Sequence, residues 1–407
     1  MSLIARSANV QTCEAKPGLF SAYDRGSLFT VAGAKLGSAA DFNPRKYPIG
    51  ALTDSGFYAR TGPKAWTSGF FPSSLWLMYQ RTGEKAWLRT ARTWTKALLP
   101  LADWEGTHDL GFMVGIPLEI GMRLDPSSKK RKAYREAFLD AARSLSTRWN
   151  PNVKAIQSGT YDGQWGLIVD SAMNAPLLIE AGMILGGTEG EELRSRGEQH
   201  LMTLINTFIR DDGSTFHRMT FDPTTGALIG PVTGQGVSVD STWARGQAWA
   251  IFGFARAYQL TRNQAFLDAA ETTAHFWMSH LDAQCLPSWD FDALSGSPRD
   301  SSAASIAANG FILLGQFAKQ QQLRTVAYEP YARTMLHTIS TVPVLGKDSM
   351  NPGIMLQQTY NVNKVAKEGS YVWGDTFVLM AAINALYSGS NATTDYTSAV
   401  ASGLTIG

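Results

Sequence analysis

The sequence predicts an all-α protein, a closed toroid of six helical hairpins known as an (α/α)6 barrel. Three observations predict it. Six segments are almost free of charge, an amphipathic segment can be placed before each, and strand signals are few. A helix apolar all round is buried, whereas one that keeps a charged face meets water. Alternation of the two kinds at about fifty to seventy residues per pair gives an inner and an outer ring.

The elements follow in order from apolar spacing of three and four residues. The first outer helix is expected around residues 18–35, and the first inner helix starts near Trp66 (WTSGFFPSSLWLMYQ). Trp87, Leu88 and Ala91 opposite Arg89 and Arg92 mark the next outer helix, ahead of an inner one near His108 (HDLGFMVGIPLEIGMRL). Phe138, Leu139 and Ala142 opposite Asp140 and Arg143 mark another, ahead of Asp170 (DSAMNAPLLIEAGMIL). The fourth inner helix starts near Thr242 (TWARGQAWAIFGFARAYQL). Phe266, Leu267 and Ala270 opposite Asp268 and Glu271 lead to the fifth, near Asp300 (DSSAASIAANGFILLGQFA). An outer helix around 326–341 leads to the sixth, near Trp373 (WGDTFVLMAAINALY). Residues 211–230 alternate and carry the turn Asp222-Pro-Thr-Thr-Gly226, so they read as a hairpin in a long loop. No low-complexity linker interrupts the chain. One catalytic domain over 1–407 is expected, with 1–17 as an N-terminal extension and 388–407 as a C-terminal tail.

Of 407 residues, 44% are hydrophobic and only 17% charged, which excludes disorder. A net charge of +2, with no basic block beyond Lys129–Lys132, excludes a nucleic-acid or anionic-membrane partner bound by charge. No stretch nears the ~20 apolar residues of a membrane helix. The N-terminus lacks the roughly 7–15-residue apolar core of a signal peptide. A cytoplasmic protein is expected, monomer or homodimer. The sequon Asn391-Ala-Thr and a leader already removed would fit secretion instead. Nothing in the sequence prompts a bridge between Cys13 and Cys285, and a reduced compartment fits as well as any other. Twelve Trp in a chain with 11% aromatics suggest a cleft that stacks on flat rings.

Inner helices that run the same way gather their N-terminal ends on one rim. That rim collects Trp66, His108, Asp109, Asp170, Asn174, Trp243, Arg245, Asp300 and Trp373, with His217 and Gln235 overhanging from a loop. Helix N-termini favour an anionic ligand. Two carboxylates, a guanidinium suited to a bidentate carboxylate pair and stacking Trp residues together describe a cleft for an acidic sugar. Each has a plainer role. Asp is a favoured N-cap, which covers Asp109, Asp170 and Asp300 singly. Trp66, Trp243 and Trp249 also suit a core. Jointly these explanations weaken, because capping does not account for His108 before Asp109, or for Trp243 and Arg245 sharing one helix start. The six histidines show no zinc spacing. Asp290 and Asp292 of WDFDA are half a calcium loop without the rest. No metal or cofactor is expected.

The segments WTSGFFPSSLWL, HDLGFM, VDSAMN, DDGSTFH, DSTWARGQAWAIFGFA, WDFDA, PRDSSAASIAANG and the late WGD resemble, in order, the unsaturated glucuronyl hydrolases, glycoside hydrolase family 88. The resemblance runs from about Trp66 to Trp373 and implies the same (α/α)6 barrel. It implies removal of a 4,5-unsaturated glucuronic acid from lyase-made oligosaccharides, by hydration of the C4=C5 enol ether. Asp170 then resembles the general acid/base and Asp109 the essential second carboxylate. Trp66, His108, His217, Gln235, Trp243, Arg245 and Trp249 resemble residues that hold the unsaturated sugar. Trp243 and Trp249 are expected against its ring, and His217, Gln235 and Arg245 at its hydroxyls or carboxylate. Two departures stand out. Where the family commonly has an aromatic, this chain has Gly159 and Thr160–Gln164, with Trp165 as the expected replacement. The stretch from Tyr360 to Lys367 lacks the family's serine- and lysine-containing pattern, leaving Lys364 as the residue for a sulfate.

Three other readings share parts of this pattern. An unsaturated rhamnogalacturonyl hydrolase would use the same barrel on pectin fragments, but the STWARGQAW and HDLGF segments favour the glucuronyl family. An inverting glycosidase would need carboxylates roughly 6.5–9.5 Å apart. A non-catalytic barrel for acidic sugars would have no use for both Asp109 and Asp170.

Overall fold

Helix ends in this chain are set by side-chain caps and left-handed stops. Helix α1 (Ala22–Ala40) opens on a capping box between Ser21 and Asp24. Helix α2 (Phe70–Thr82) stops at Gly83, which takes φ 70° at no steric cost. Helix α3 (Lys85–Lys96) buries Leu88, Ala91 and Trp94 and leaves its charged face outside. A π-turn over Gly111–Gly115 leads into α4 (Ile116–Leu124), and Ser127 caps α5 (Ser128–Ser146). Pro176 begins α7 (Pro176–Leu185) directly after the short α6 (Ser171–Asn174), and α8 (Gly187–Phe208) follows. Every residue from Ala244 to Leu260 of α9 (Ala244–Thr261) is buried. Helices α10 (Gln264–His280, capped by Asn263), α11 (Ser301–Gln321), α12 (Tyr328–Ile339) and α13 (Val372–Tyr387) complete the set. The structure, a computed structural model, describes residues 12–321, 327–341, 343–364 and 368–387.

The ring closes through neighbour packing. Helix α2 packs on α4, the π-turn on α6 and α7, α7 on α9, α9 on α11, α11 on α13, and α13 back on α2. Helices α1, α3, α5, α8, α10 and α12 form the outer ring, one ahead of each inner member, as the hairpin alternation predicts. Three charges on the inner helices pair with one another: Arg256 lies 2.9 Å from Glu119 and 2.7 Å from Glu180. Unpaired, each would carry a large desolvation cost.

Strands are more numerous than their sequence signal. The expected 211–230 hairpin is present as β7 (Arg218–Phe221) and β8 (Leu228–Val232). It extends a second hairpin, β5 (Gly159–Tyr161) and β6 (Gln164–Ile168), into an antiparallel sheet ordered β5-β6-β7-β8. Strands β1 (Tyr47–Leu52), β2 (Ala59–Thr61) and β9 (Gly369–Tyr371) pair in a sheet that joins distant parts of the chain, and Leu52 faces Gly369. The two-residue strands β3 (Trp149–Asn150) and β4 (Ala155–Ile156) pair with each other.

Cys13 and Cys285 form a disulfide, with Cα atoms 5.0 Å apart. The sequence leaves this bridge possible but unprompted, because it joins segments that sequence spacing does not relate. The Cys13 N–H donates to the Leu281 carbonyl at 3.1 Å, so the segment at Cys13 runs beside the loop after α10. Of the expected extension, residues 12–17 are thus tied down. Residues 1–11, the tail 388–407 and the sequon at Asn391 lie outside the described residues.

Candidate active site

Asp170 stands just before α6, where an Asp would ordinarily cap the helix. Its carboxylate makes no capping bond. Instead Oδ1 is buried without a hydrogen-bond partner among the described residues. Burial is the main force raising its pKa to about 7; Asp109 adds to the rise, while Arg245 and Arg218 oppose it. This is the environment that holds a carboxylic acid protonated near neutral pH. Asp109 is differently placed. Its side chain is 18% exposed, accepts from the Thr107 hydroxyl at 3.2 Å, and lies 3.5 Å from His108 Nε2.

The backbone around the pair is set by a glycine and an amide. A Cβ at Gly111 would lie 2.7 Å from the Asn174 Cα atom, so only glycine lets the two inner helix starts meet. There Asn174 Oδ1 accepts from Phe112 N–H at 3.0 Å and its amide donates to the Asp170 carbonyl at 3.3 Å. One side chain therefore couples the segments carrying Asp109 and Asp170.

His217 is buried and accepts at Nδ1 from the Gly234 and Gln235 N–H groups, at 3.0 and 3.2 Å. Two donors at Nδ1 assign the proton to Nε2, which is buried without a partner. Burial, with Arg218 and Arg245 adding to it, keeps this imidazole neutral, its pKa well below the usual range. His217 thus offers a fixed N–H donor. An aromatic wall stands beside the loop, with Trp66 and Trp373 ring centroids 5.0 Å apart and Tyr360 and Trp373 centroids 5.5 Å apart. Tyr360 is 40% exposed, so the wall has an open face.

No protein-family model matches the sequence. Over 327 residues the chain is 35% identical to the unsaturated glucuronyl hydrolase of Formosa agariphila, covering 78% of this chain and 79% of that protein. It is 30% identical to the unsaturated chondroitin disaccharide hydrolase of Streptococcus pyogenes serotype M1, over 84% of this chain and 86% of the relative. The fold matches a solved unsaturated glucuronyl hydrolase specific for heparin, with a TM-score of 0.81, 28% identity, and 89% and 96% of the two chains covered. The enzyme from Bacillus sp. GL1 matches at a TM-score of 0.79, with 26% identity and 88% and 95% covered.

The chain belongs to the unsaturated glucuronyl hydrolases.

Within this family member the structure gathers Trp66, His108, Asp109, Asp170, His217, Gln235 and Trp243 around one rim, and gives three expected residues other work. Arg245 is only 1% exposed, and both its terminal nitrogens are spent. Nη1 donates to Asp300 at 2.7 Å and to the Thr359 carbonyl at 2.6 Å. Nη2 donates to Gln235 at 3.1 Å and to the Tyr360 carbonyl at 2.5 Å. Trp249, at 0% exposure, packs on Phe112 and Phe377 with centroids 5.0 and 5.4 Å away, so it is a core ring. Asn174 is consumed by backbone, as described above. Trp243 is also buried, between His217 and Arg245, with its ring centroid 4.8 Å from the imidazole and 4.5 Å from the guanidinium carbon.

Asp300 does cap, accepting from Ser302 N–H at 3.1 Å, besides holding Arg245. Asp290 and Asp292 tie loops: Asp290 Oδ2 accepts from Val237 N–H at 3.0 Å and from Ser241 at 2.8 Å, and Asp292 accepts from Thr242 N–H at 3.0 Å. Among the described residues no group of three or more His, Cys, Asp or Glu is placed to hold a metal ion, and no helix is long and apolar enough to cross a membrane.

Sequence reasoning missed Tyr161, Arg218 and His200. The first two lie on adjoining hairpins, and the Arg218 guanidinium carbon is 4.4 Å from the Tyr161 ring centroid. The expected replacement aromatic, Trp165, is paired with Thr160 on the other face of the hairpin and packs on Phe221. Tyr161, one position along, is the ring that turns to the site. The only signal was the turn Asp162-Gly163, whose φ values of 50° and 78° fix the register. His200 accepts at Nδ1 from Ile156 N–H at 3.0 Å and feels His108 nearby, and burial keeps it neutral, with its pKa lowered to about 3.

Proposed function

We propose that the protein removes a 4,5-unsaturated glucuronic acid from the non-reducing end of lyase-generated oligosaccharides, with Asp170 as general acid/base and Asp109 as its partner. The observation that carries the assignment is Asp170 itself, a partly exposed side chain with one buried, unpaired oxygen and a pKa of about 7. Protonated, it delivers its proton to C4 of the enol ether. The resulting Asp170 carboxylate takes a proton from the water whose oxygen bonds to C5. The acid is thereby regenerated, and the C5 hemiketal opens and releases the leaving sugar. A group with pKa near the working pH does both transfers well. Asp109 disfavours ionisation of Asp170 by like charge, and His217 Nε2–H is a donor for a sugar oxygen. Trp66 and Tyr360, backed by the buried Trp373, suit the apolar face of a sugar. The whole chain is read as one catalytic unit.

Relatives named for heparin and for chondroitin disaccharides support an acidic disaccharide as the substrate class. The Cys13–Cys285 bridge supports an oxidising compartment in place of the cytoplasmic expectation, because cytosolic thiols are kept reduced. The direct test is to mix the protein with unsaturated disaccharides made by a lyase and follow the ultraviolet absorbance of the conjugated double bond. Loss of absorbance with release of the partner sugar is expected. Unchanged absorbance across sulfated, unsulfated and pectin-derived substrates would refute the proposal.

A further inference from the structure

An acidic substrate needs a cation to meet it, and Arg245, the obvious one, has both terminal nitrogens engaged inside the protein. Arg218 is in the opposite condition. Its side chain makes no hydrogen bond or ion pair with any described residue, so its terminal nitrogens are uncommitted, while Nε is buried without a partner in both arginines. It is held by shape alone. Its guanidinium lies over the Tyr161 ring at 4.4 Å. On another side it fills the space left by Gly234, where a Cβ would sit 2.4 Å from Nη1. Any other residue at 234 would push the guanidinium away.

Holding a half-buried guanidinium without a bonded counter-charge is unfavourable, since burial removes water and no carboxylate is hydrogen-bonded in its place. The arrangement makes sense if the missing partner arrives with the substrate. The next residue back, His217, presents its own unpaired Nε2–H, and Gly234 N–H fixes that imidazole. Arg218 is also near enough to Asp170, His108 and Tyr161 to act on the charge of each. It therefore belongs to the same chamber as the carboxylate pair.

We propose that Arg218, cradled by Tyr161 and Gly234, is the specificity-determining residue that receives an oxyanion of the substrate. That oxyanion is the carboxylate of the unsaturated sugar or an acidic group on the leaving sugar. A planar guanidinium pairs with either in bidentate fashion. The inference rests on the unsaturated-uronate reading above.

The test uses the full chain, the variants R218M and R218K, and two unsaturated disaccharides that differ only in a sulfate on the leaving sugar. Hydration kinetics are followed by ultraviolet absorbance across a pH series, with circular dichroism to verify folding. R218M is expected to lose about 10- to 100-fold in kcat/KM, mainly through KM, with partial rescue by R218K. Equal loss on both substrates identifies the uronate carboxylate as the ligand. Loss confined to the sulfated substrate identifies the leaving-sugar anion. A variant that keeps wild-type KM on both, with only its pH profile moved, overturns the proposal and reduces Arg218 to a tuner of Asp170. Should the wild type hydrate neither substrate, the activity reading fails separately. Calorimetric binding of the same disaccharides to wild type and R218M then decides the Arg218 claim, and equal affinities would end it.

Discussion

Replacing Asp170 by Asn is expected to abolish turnover and, in the same protein, to stabilise the fold at alkaline pH. The two effects share one cause. Burial lifts the Asp170 pKa from 3.8 to about 7, so the native state holds its proton in a range where the unfolded chain has lost it. Stability then falls as pH rises through the interval from about 4 to about 7, because the folded state is the one that binds the extra proton. The gap of about three pKa units corresponds to about 4 kcal/mol, fully lost to the wild type above about pH 8. The amide of D170N carries no such cost. The stability advantage of D170N is therefore expected to grow by about 4 kcal/mol between pH 4 and pH 8, or about 5 °C in Tm for a chain of this size. An unpaired amide N–H on the new side chain would subtract about 1–3 kcal/mol at every pH, so the slope carries the result. Thermal melts of both proteins from pH 4 to 8.5, beside ultraviolet assays, measure it. The wild-type rate is expected to be level below about pH 7 and to fall above it as the acid ionises. Parallel Tm curves for the two proteins would refute the argument that burial protonates Asp170.

Further consequences follow from its neighbours. In D109N the like-charge push on Asp170 is gone, so the alkaline limb of the residual activity should move to lower pH, with rates down by about 100-fold or more; an unmoved limb in a pH–rate profile would separate the two groups. N174A leaves the buried Phe112 N–H without its acceptor and should cost about 1–3 kcal/mol in urea unfolding. Its kcat should fall more than its KM changes, because it acts through the placement of Asp109 and Asp170. Reduction of the Cys13–Cys285 bridge, which spans 272 residues, should cost about 2–5 kcal/mol. Thiol titration of the unfolded, unreduced protein should find no free cysteine, and C13S should melt with the reduced wild type.

The barrel was legible because its signal is local and repeated. Each inner helix announces itself by lacking charge over its own length, as α9 does, and each outer helix by a charged face, as α3 does. Asp109 and Asp170 were legible for a related reason: each stands at an inner helix start, and six parallel starts converge on one rim. The short strands were not. Strands β1 and β9 are defined by a partner some 300 residues away, which no local alternation reveals.

By itself, the sequence determined the ring, the order of its hairpins and the carboxylate pair, since these depend on periodicity and on residues next to helix ends. Only the tertiary structure decided which side chains remain available to a substrate. The sequence singles out Arg245 and passes over Arg218, but Asp300 and three further acceptors consume the first, while Gly234 and Tyr161 leave the second open. Trp249 and Trp66 read alike too, but Phe112 and Phe377 together close over Trp249 and make it core, while Trp66 stays partly open. Cys13 and Cys285, 272 residues apart, meet only in the folded chain. Availability is a property of the partners a group has in space, and those partners come from segments that sequence spacing does not relate.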